Sequence, residues 1–283
     1  MAIREHPWRF CHCRARARRL TSYNGQRPRL DAELLTYSIV IPAYNEAERI
    51  AATLEKVTAY AEKMGWRAEI IVVNDGSRDA TPQIVRQWAQ RNAIIRLLEN
   101  PGNRGKGYSV RHGMMEARGG VLLFTDADLS SPIYEAEKLI AALAAGADIA
   151  IGSRWVDANM QTERQPLYRQ FFGRIYNLLL PIILGLHFKD TQCGLKAFTP
   201  RAARAIFPRL HIDRWGFDPE ILFLAVKSGM KVAEVPVEWG HDDRSKINPI
   251  TDGFRMFTEM LRIRWYGLTG KYQKDADGLP ATK

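Results

Sequence analysis

Cysteine is scarce in this 283-residue chain: Cys11, Cys13 and Cys193 are the three. An odd count with such scatter excludes a disulfide framework and fits a reducing compartment. Cys11-His12-Cys13 has no second ligand cluster at zinc spacing, so no zinc site is expected there. Long apolar runs are also missing. The longest uncharged stretch, Ile175–Phe188, covers 14 residues and is interrupted by Pro181, against the roughly 20 apolar residues that a membrane span needs. No apolar segment follows the arginine-rich start, so a secretory signal is not expected. Acidic residues are nearly absent from the first thirty positions, which hold eight arginines and a single glutamate. Of the formal net charge of +10, that stretch supplies +7. The basic character therefore belongs to a tail, and the remainder gives no reason to expect a nucleic-acid partner. Residues 1–36 read as a disordered basic tail; their functional reading is a polybasic contact with anionic lipid headgroups.

Two nucleotide motifs are absent as well. Gly-Asn-Arg-Gly-Lys-Gly at 102–107 lacks Walker A spacing, and no Gly-x-Gly-x-x-Gly follows the first strand. The second absence counts against a dinucleotide dehydrogenase.

What is present centres on Val121–Ser130, Val-Leu-Leu-Phe-Thr-Asp-Ala-Asp-Leu-Ser. A short continuous apolar run predicts a strand buried on both faces. Asp126 and Asp128 follow it, at the strand end where open α/β sheets place ligands. Two carboxylates there suit a hard divalent cation, Mg²⁺ or Mn²⁺, that keeps positions open for substrate phosphates. Upstream, strands are predicted at 37–42, 70–73 and 94–98, alternating with helices at 48–64, through Ile84, Val85 and Trp88, and at 108–117. Asp79 is the expected cap of the second helix. Such alternation predicts an α/β fold with a largely parallel, doubly wound sheet. Each strand then delivers polar turn residues to one edge. There Asp75 can accept from a base or ribose, and Lys106, among glycines that admit close backbone approach, offers a cation to phosphate.

Three motifs on that edge, Ile41-Pro42-Ala43-Tyr44-Asn45-Glu46, Val73-Asn74-Asp75-Gly76-Ser77 and Asp126-Ala127-Asp128, resemble the nucleotide-sugar half of family-two glycosyltransferases. The second half adds Gly152-Ser153-Arg154, Asp190–Lys196, Arg214–Glu220 and Arg244-Ser245-Lys246. In that order the set resembles the polyprenyl-phosphate sugar transferases, over about residues 37–272. The resemblance implies a single Rossmann-like domain at 37–272, with residues 273–283 a disordered C-terminal tail. It also implies inverting transfer of a hexose from UDP-glucose, or alternatively GDP-mannose, to a dolichyl- or undecaprenyl-type polyprenyl phosphate. Pro42, Tyr44, Glu46, Asp75, Lys106 and Asp126 match the positions that line the nucleotide-sugar pocket, and Asp126 and Asp128 would hold the metal. Arg154, Arg169 and Lys246 are the candidates for the acceptor phosphate, with Arg154 and Lys246 counted beside the two aspartates as catalytic. Leu129 departs from the pattern, because the resembled glucosyltransferases tend to have glycine there. Their eukaryotic members also carry an N-terminal membrane helix where this chain has its arginines.

Two segments suit a membrane surface. Tyr168, Phe171, Phe172, Ile175, Leu178 and Leu179 recur at helical spacing among arginines, and Phe254–Phe257 with Leu261–Tyr266 repeat that composition. Amphipathic helices of this kind lie in the headgroup plane. The expected setting is membrane-associated, at the cytoplasmic face. Two other classes, a nucleotidyltransferase and a nucleotide-sugar binding module, are separated from a transferase by the product.

Overall fold

The computed structural model describes residues 9–10, 36–156, 176, 178–240 and 249–273. Eight strands form one sheet: β1 (Arg9–Phe10), β2 (Thr36–Ala43), β3 (Arg67–Asn74), β4 (Ile95–Glu99), β5 (Val121–Phe124), β6 (Ile149–Ser153), β7 (Lys196–Phe198) and β8 (Val232–Pro236). Their spatial order is β1-β8-β6-β7-β5-β2-β3-β4. β4, β3, β2 and β5 run parallel, and β8 is parallel to β6. β7 is antiparallel to both β5 and β6, so β6 and β8 still point the same way as β5. The largely parallel sheet is thus as expected, with β7 reversed in its middle and the two-residue β1 reversed at its edge.

Helices α1 (Ile50–Lys63), α2 (Thr81–Arg91), α3 (Lys106–Glu116) and α4 (Ala136–Ala144) follow β2 to β5, and α5 (Pro200–Ile206), α6 (Phe217–Lys227) and α7 (Pro249–Leu268) belong to the second half. Both faces of the sheet are covered, and the pleat divides the core. Val40, Ile71, Val73, Leu122 and Phe124 join one apolar cluster, while Ile39, Ile41, Ile70, Val72, Val121 and Leu123 join the other. Alternate residues of a strand face opposite sides, so runs that are apolar throughout are what a doubly covered sheet needs. Asp79 lies one residue ahead of the boundary of α2. Its Oδ1 accepts from the Thr81 N–H at 3.0 Å, and Oδ2 from the Ala47 N–H at 3.0 Å, tying the second helix to the first loop.

Of the expected basic tail, Arg9 and Phe10 pair with Glu234 and Ala233 of β8, and Thr36 opens β2. The remainder of 1–36, including Cys11 and Cys13, lies outside the described residues, as do 157–175, 241–248 and 274–283. Arg169 and Lys246 fall in those segments, with Tyr168, Phe171, Phe172 and Ile175 of the first amphipathic stretch. Its described end is helical at 178–184, with Leu180 and Leu184 buried and Leu178 and Ile182 exposed. Among the described residues, no helix is long and apolar enough to cross a membrane.

Candidate active site

The carboxyl ends of the parallel strands open onto one edge, and the reversed β7 starts there. β5 is fully buried, and its last ladder contact is continued by the Thr125 N–H, which donates to the Val40 carbonyl at 3.0 Å. Asp126-Ala127-Asp128 comes next, and the chain turns back through Leu129, whose φ of 48° is left-handed. A side chain with a Cβ is strained in that region, which gives a physical reason for the glycine that the resembled enzymes favour. The turn is closed by the Leu129 N–H on the Asp126 carbonyl (3.1 Å) and the Ser130 N–H on Asp128 Oδ1 (2.9 Å).

Lys106, the first residue of α3, places Nζ 2.6 Å from Asp126 Oδ1 and 5.4 Å from the centre of the Trp215 ring. The contact is an ion pair off the hydrogen-bond line, since that buried oxygen has no aligned donor. Burial disfavours the Lys106 charge, but Asp126 and then Asp218 outweigh it and raise its pKa. Burial first, and the charge of Asp126 second, push the Asp128 carboxyl above its ordinary range. Asp126 and Asp128 are two carboxylates in a half-buried turn; Lys106 answers one of them, and the second charge leaves room for a cation. The donor set fits Mg²⁺ or Mn²⁺: oxygen ligands from the protein, with the remaining positions left to phosphate and water. Among the described residues no group of three or more His, Cys, Asp or Glu stands ready to hold a metal, so any such ion would depend on the substrate's own oxygens.

The other nucleotide-side residues reach the same edge. Pro42 pairs with Val73 one residue before the end of β2, and Tyr44, Asn45 and Glu46 form the loop beyond the strand. That loop is fastened to the one after β3: the Asn45 N–H donates to Ser77 Oγ (2.9 Å), the Arg78 N–H to Asn45 Oδ1 (2.8 Å), and the Glu46 N–H to Thr81 Oγ1 (2.7 Å). Asp75 is buried, and its carboxylate accepts from the backbone N–H groups of Arg104 and Gly105, each at 2.8 Å, and from Asn100 Nδ2 at 2.9 Å. It therefore shapes the glycine-rich loop before α3 besides any contact it makes with a ligand.

From the second half, the 190–195 loop lies directly against Asp126, and a Cβ on Gly194 would collide with that carboxylate. Behind the loop, Lys196 is fully buried in β7. Its Nζ donates to the Cys193 carbonyl and to Asp218 Oδ1, both at 2.7 Å, and sits 5.2 Å from the centre of the Phe124 ring. Sequence reasoning assigned no role to this lysine or to Gly194. Arg154, at the end of β6, grips Asp190 with both arms of its guanidinium (2.7 and 2.9 Å) and donates its N–H to the same carboxylate at 3.0 Å. Burial works against both charges. Even so, each partner holds the other ionised, lowering the Asp190 pKa and raising that of Arg154. Arg154 also lies 5.4 Å from the centre of the Trp239 ring. The remaining acceptor candidates, Arg169 and Lys246, lie outside the described residues.

The architecture and the carboxylate-lined edge define a Rossmann-like transferase fold with a metal-suited acidic turn. Residues 38–207 match the family described as glycosyl transferase family 2, and the chain belongs to that family. It is 41% identical over 245 residues to a dolichyl-phosphate beta-glucosyltransferase of Trichomonas vaginalis, spanning 82% of this chain and 72% of that one. It is 36% identical to the dolichyl-phosphate beta-glucosyltransferase of Saccharomyces cerevisiae, spanning 86% and 78% of the two chains. Among solved structures, glucosyl-3-phosphoglycerate synthase from Mycobacterium tuberculosis, in complex with Mn²⁺, UDP and glucosyl-3-phosphoglycerate, superposes with a TM-score of 0.62. That match has 17% identity and covers 85% of this chain and 86% of that one, which is a likeness of fold.

Proposed function

We propose that the protein transfers glucose from UDP-glucose, with inversion, to the phosphate of a dolichyl-type polyprenyl phosphate. The observation that carries this reading is the acidic turn Asp126–Asp128 with Lys106 on it, at the sheet edge of a chain aligned over four-fifths of its length with dolichyl-phosphate beta-glucosyltransferases. Pro42, Tyr44, Glu46 and Asp75 hold or shape the nucleotide end, and Lys106 sets a cation beside the departing diphosphate. Asp126 and Asp128 would hold a Mg²⁺ or Mn²⁺, which would supply the charge neutralisation that a leaving nucleoside diphosphate needs. The acceptor would be received by Arg169 and Lys246 with Arg154, which would share its charge between Asp190 and the phosphate, since a phosphate needs cationic donors.

A phosphate monoester has a second pKa of about 6 and is largely dianionic near neutrality. It attacks without a general base, unlike a sugar or polyprenol hydroxyl. The second-half carboxylates support this reading: Asp190 is committed to Arg154 and Asp218 to Lys196, so neither stands free to take a proton. The membrane surface is the expected workplace, at its cytoplasmic face. Phe254, Leu261, Trp265 and Leu268 along α7, and Leu178 and Ile182, present large apolar side chains to the outside, as an interfacial helix requires.

The test incubates purified protein and membranes with labelled UDP-glucose, and in parallel with labelled GDP-mannose, and measures label in the organic extract. Label from UDP-glucose is expected, and only when polyprenyl phosphate rather than free polyprenol is present. Label from GDP-mannose alone overturns the donor, equal product from free polyprenol overturns the acceptor, and a product that retains the nucleotide overturns the reaction class.

A further inference from the structure

Beside the loop that leads into α3 lies a cavity of about 580 Å³, walled by Arg104, Asp213, Arg214, Arg255, Glu259 and Arg262 among others. Four arginines there meet two carboxylates, and both carboxylates have other partners. Asp213 lies 3.5 Å from Arg111 Nη2. Glu259 Oε2 accepts the Gly216 N–H at 2.7 Å. Arg255, Arg262 and Arg214 all act on Glu259, but four guanidinium groups against two carboxylates still leave the lining with an excess of positive charge, and planar guanidinium groups suit phosphate oxygens. The arginine side chains are exposed, but the backbone beneath Arg104 and Asp213 is fixed. Asp75 clamps the Arg104 and Gly105 N–H groups, and the Tyr108 N–H donates to the Asp213 carbonyl at 3.0 Å. Gly105 has φ 110° and packs so tightly on Asp213 that a Cβ would collide with its carbonyl.

None of Asp126, Asp128, Lys106 and Arg154 is among the residues lining this cavity, so it is a different pocket from the acidic turn, although Asn103 and Arg104 belong to the loop that carries Lys106. Helix α7 shows what else such a ligand would carry. Arg255 and Arg262, one heptad apart, wall the cavity. Phe254, Leu261 and Trp265, about a quarter turn round the same helix, are 72%, 45% and 63% exposed, whereas Met260 and Ile263 face the core. A phosphate site thus borders an exposed apolar stripe, the pairing that a lipid headgroup and the bilayer beneath it would satisfy.

We propose that this cavity binds the phosphate headgroup of an anionic glycerophospholipid, separately from the polyprenyl phosphate acceptor, and so docks α7 on the membrane. The inference rests on the reading above that the protein works at a membrane surface. Because Asp75 holds the cavity's wall, an occupied headgroup site would also brace the loop that borders the donor site.

The test compares the full chain with its Arg214→Gln/Arg262→Gln variant. Each is sedimented with vesicles of phosphatidylcholine alone, of phosphatidylcholine with a minority of phosphatidic acid, and of phosphatidylcholine with polyprenyl phosphate instead. The arginines of the first thirty residues are common to both proteins. The wild type is expected to bind phosphatidic acid vesicles more tightly than neutral ones. The variant should lose roughly tenfold to thirtyfold of that gain, at about 1 kcal/mol per arginine, while keeping its binding to neutral vesicles and to UDP-glucose. A variant that keeps the whole gain overturns the proposal, and so does wild-type binding that is indifferent to phosphatidic acid. A loss confined to the polyprenyl phosphate vesicles overturns it in favour of an acceptor site. Wild-type protein that binds no vesicle overturns both this inference and the membrane reading, whereas the preceding outcomes leave the membrane reading standing.

Discussion

The α-carbon of Gly194 lies against the carboxylate of Asp126, so the backbone of the 190–195 loop forms one wall of the acidic turn. The two residues come from opposite halves of the sequence, and the site exists only when both halves are in place. Gly194 has an ordinary backbone angle, so the requirement for glycine at this position is purely one of space. Gly194→Ala should leave the fold intact and push Asp126 out of line. Misplacement of a positioned group by about 1 Å can cost on the order of a hundredfold in rate. A loss of that order in kcat/KM, with an unchanged circular dichroism spectrum, is the expected result, and full activity would show that the turn has room to move.

Asp128→Ala removes one of the two carboxylates suited to metal. Transfer of label from UDP-glucose to the lipid extract should be lost, with the melting temperature held or raised, because a half-buried carboxylate repelled by Asp126 has been deleted. Retention of transfer by that variant in the presence of a chelator would contradict the metal-centred reading.

The pair Lys196–Asp218 offers a test of folding energetics. Lys196→Met should destabilise by about 3–5 kcal/mol, because it strands a buried carboxylate. Lys196→Met combined with Asp218→Leu should recover much of that loss, since replacing a whole buried pair by apolar groups is often near neutral. Chemical denaturation of both variants measures the difference, and equal destabilisation of single and double variants would show that the pair's charges are not the issue.

Glu220 predicts a pH dependence. Burial is the largest influence on its carboxyl and pushes the pKa up to about 7, against hydrogen bonds from Tyr272 and from the His211 and Ile212 N–H groups. The folded state therefore holds this proton more tightly than the unfolded chain. The corresponding stability is fully present below the unfolded value near 4.5 and is lost as pH rises through about 7. A shift of that size corresponds to something on the order of 3 kcal/mol. Stability measured from pH 5 to 8 should fall in the wild type and flatten in Glu220→Gln; parallel curves would place the titrating group elsewhere.

The alternating strands, the helices between them and the acidic turn were all legible, because each is written in a local run of residues with its own period. Val121–Phe124 announces a buried strand, and the aspartates follow it without a break. The departure at Leu129 was visible too, and its left-handed angle now gives it a physical reason. What stayed hidden depends on distant partners. β7 is three residues long and begins with a lysine, which reads as surface; only Asp218 and the Cys193 carbonyl make burial of that charge possible. Arg154 reads as a phosphate ligand on its own, and nothing nearby in the sequence announces the bidentate grip of Asp190. The arginines around the cavity lie on three separate segments, and none of those segments points to the others.

The reversed β7 also says something about how the chain must assemble. β4, β3, β2 and β5 form one hydrogen-bonded group and β6 with β8 another, and three residues of β7 join them. A fragment ending before β7 would have no strand to span the gap between β5 and β6, however well each group forms alone. The sheet is therefore continuous from β4 to β8 only once β7 is in place. Closure of the sheet needs a pairing between residues far apart in sequence, and such non-local contacts slow folding because chain entropy is lost before the contact forms. The segment that seats Lys196 between Phe124 and Ile151 also sets Gly194 against Asp126, so the strand that completes the sheet and the wall of the reactive edge are one piece of chain.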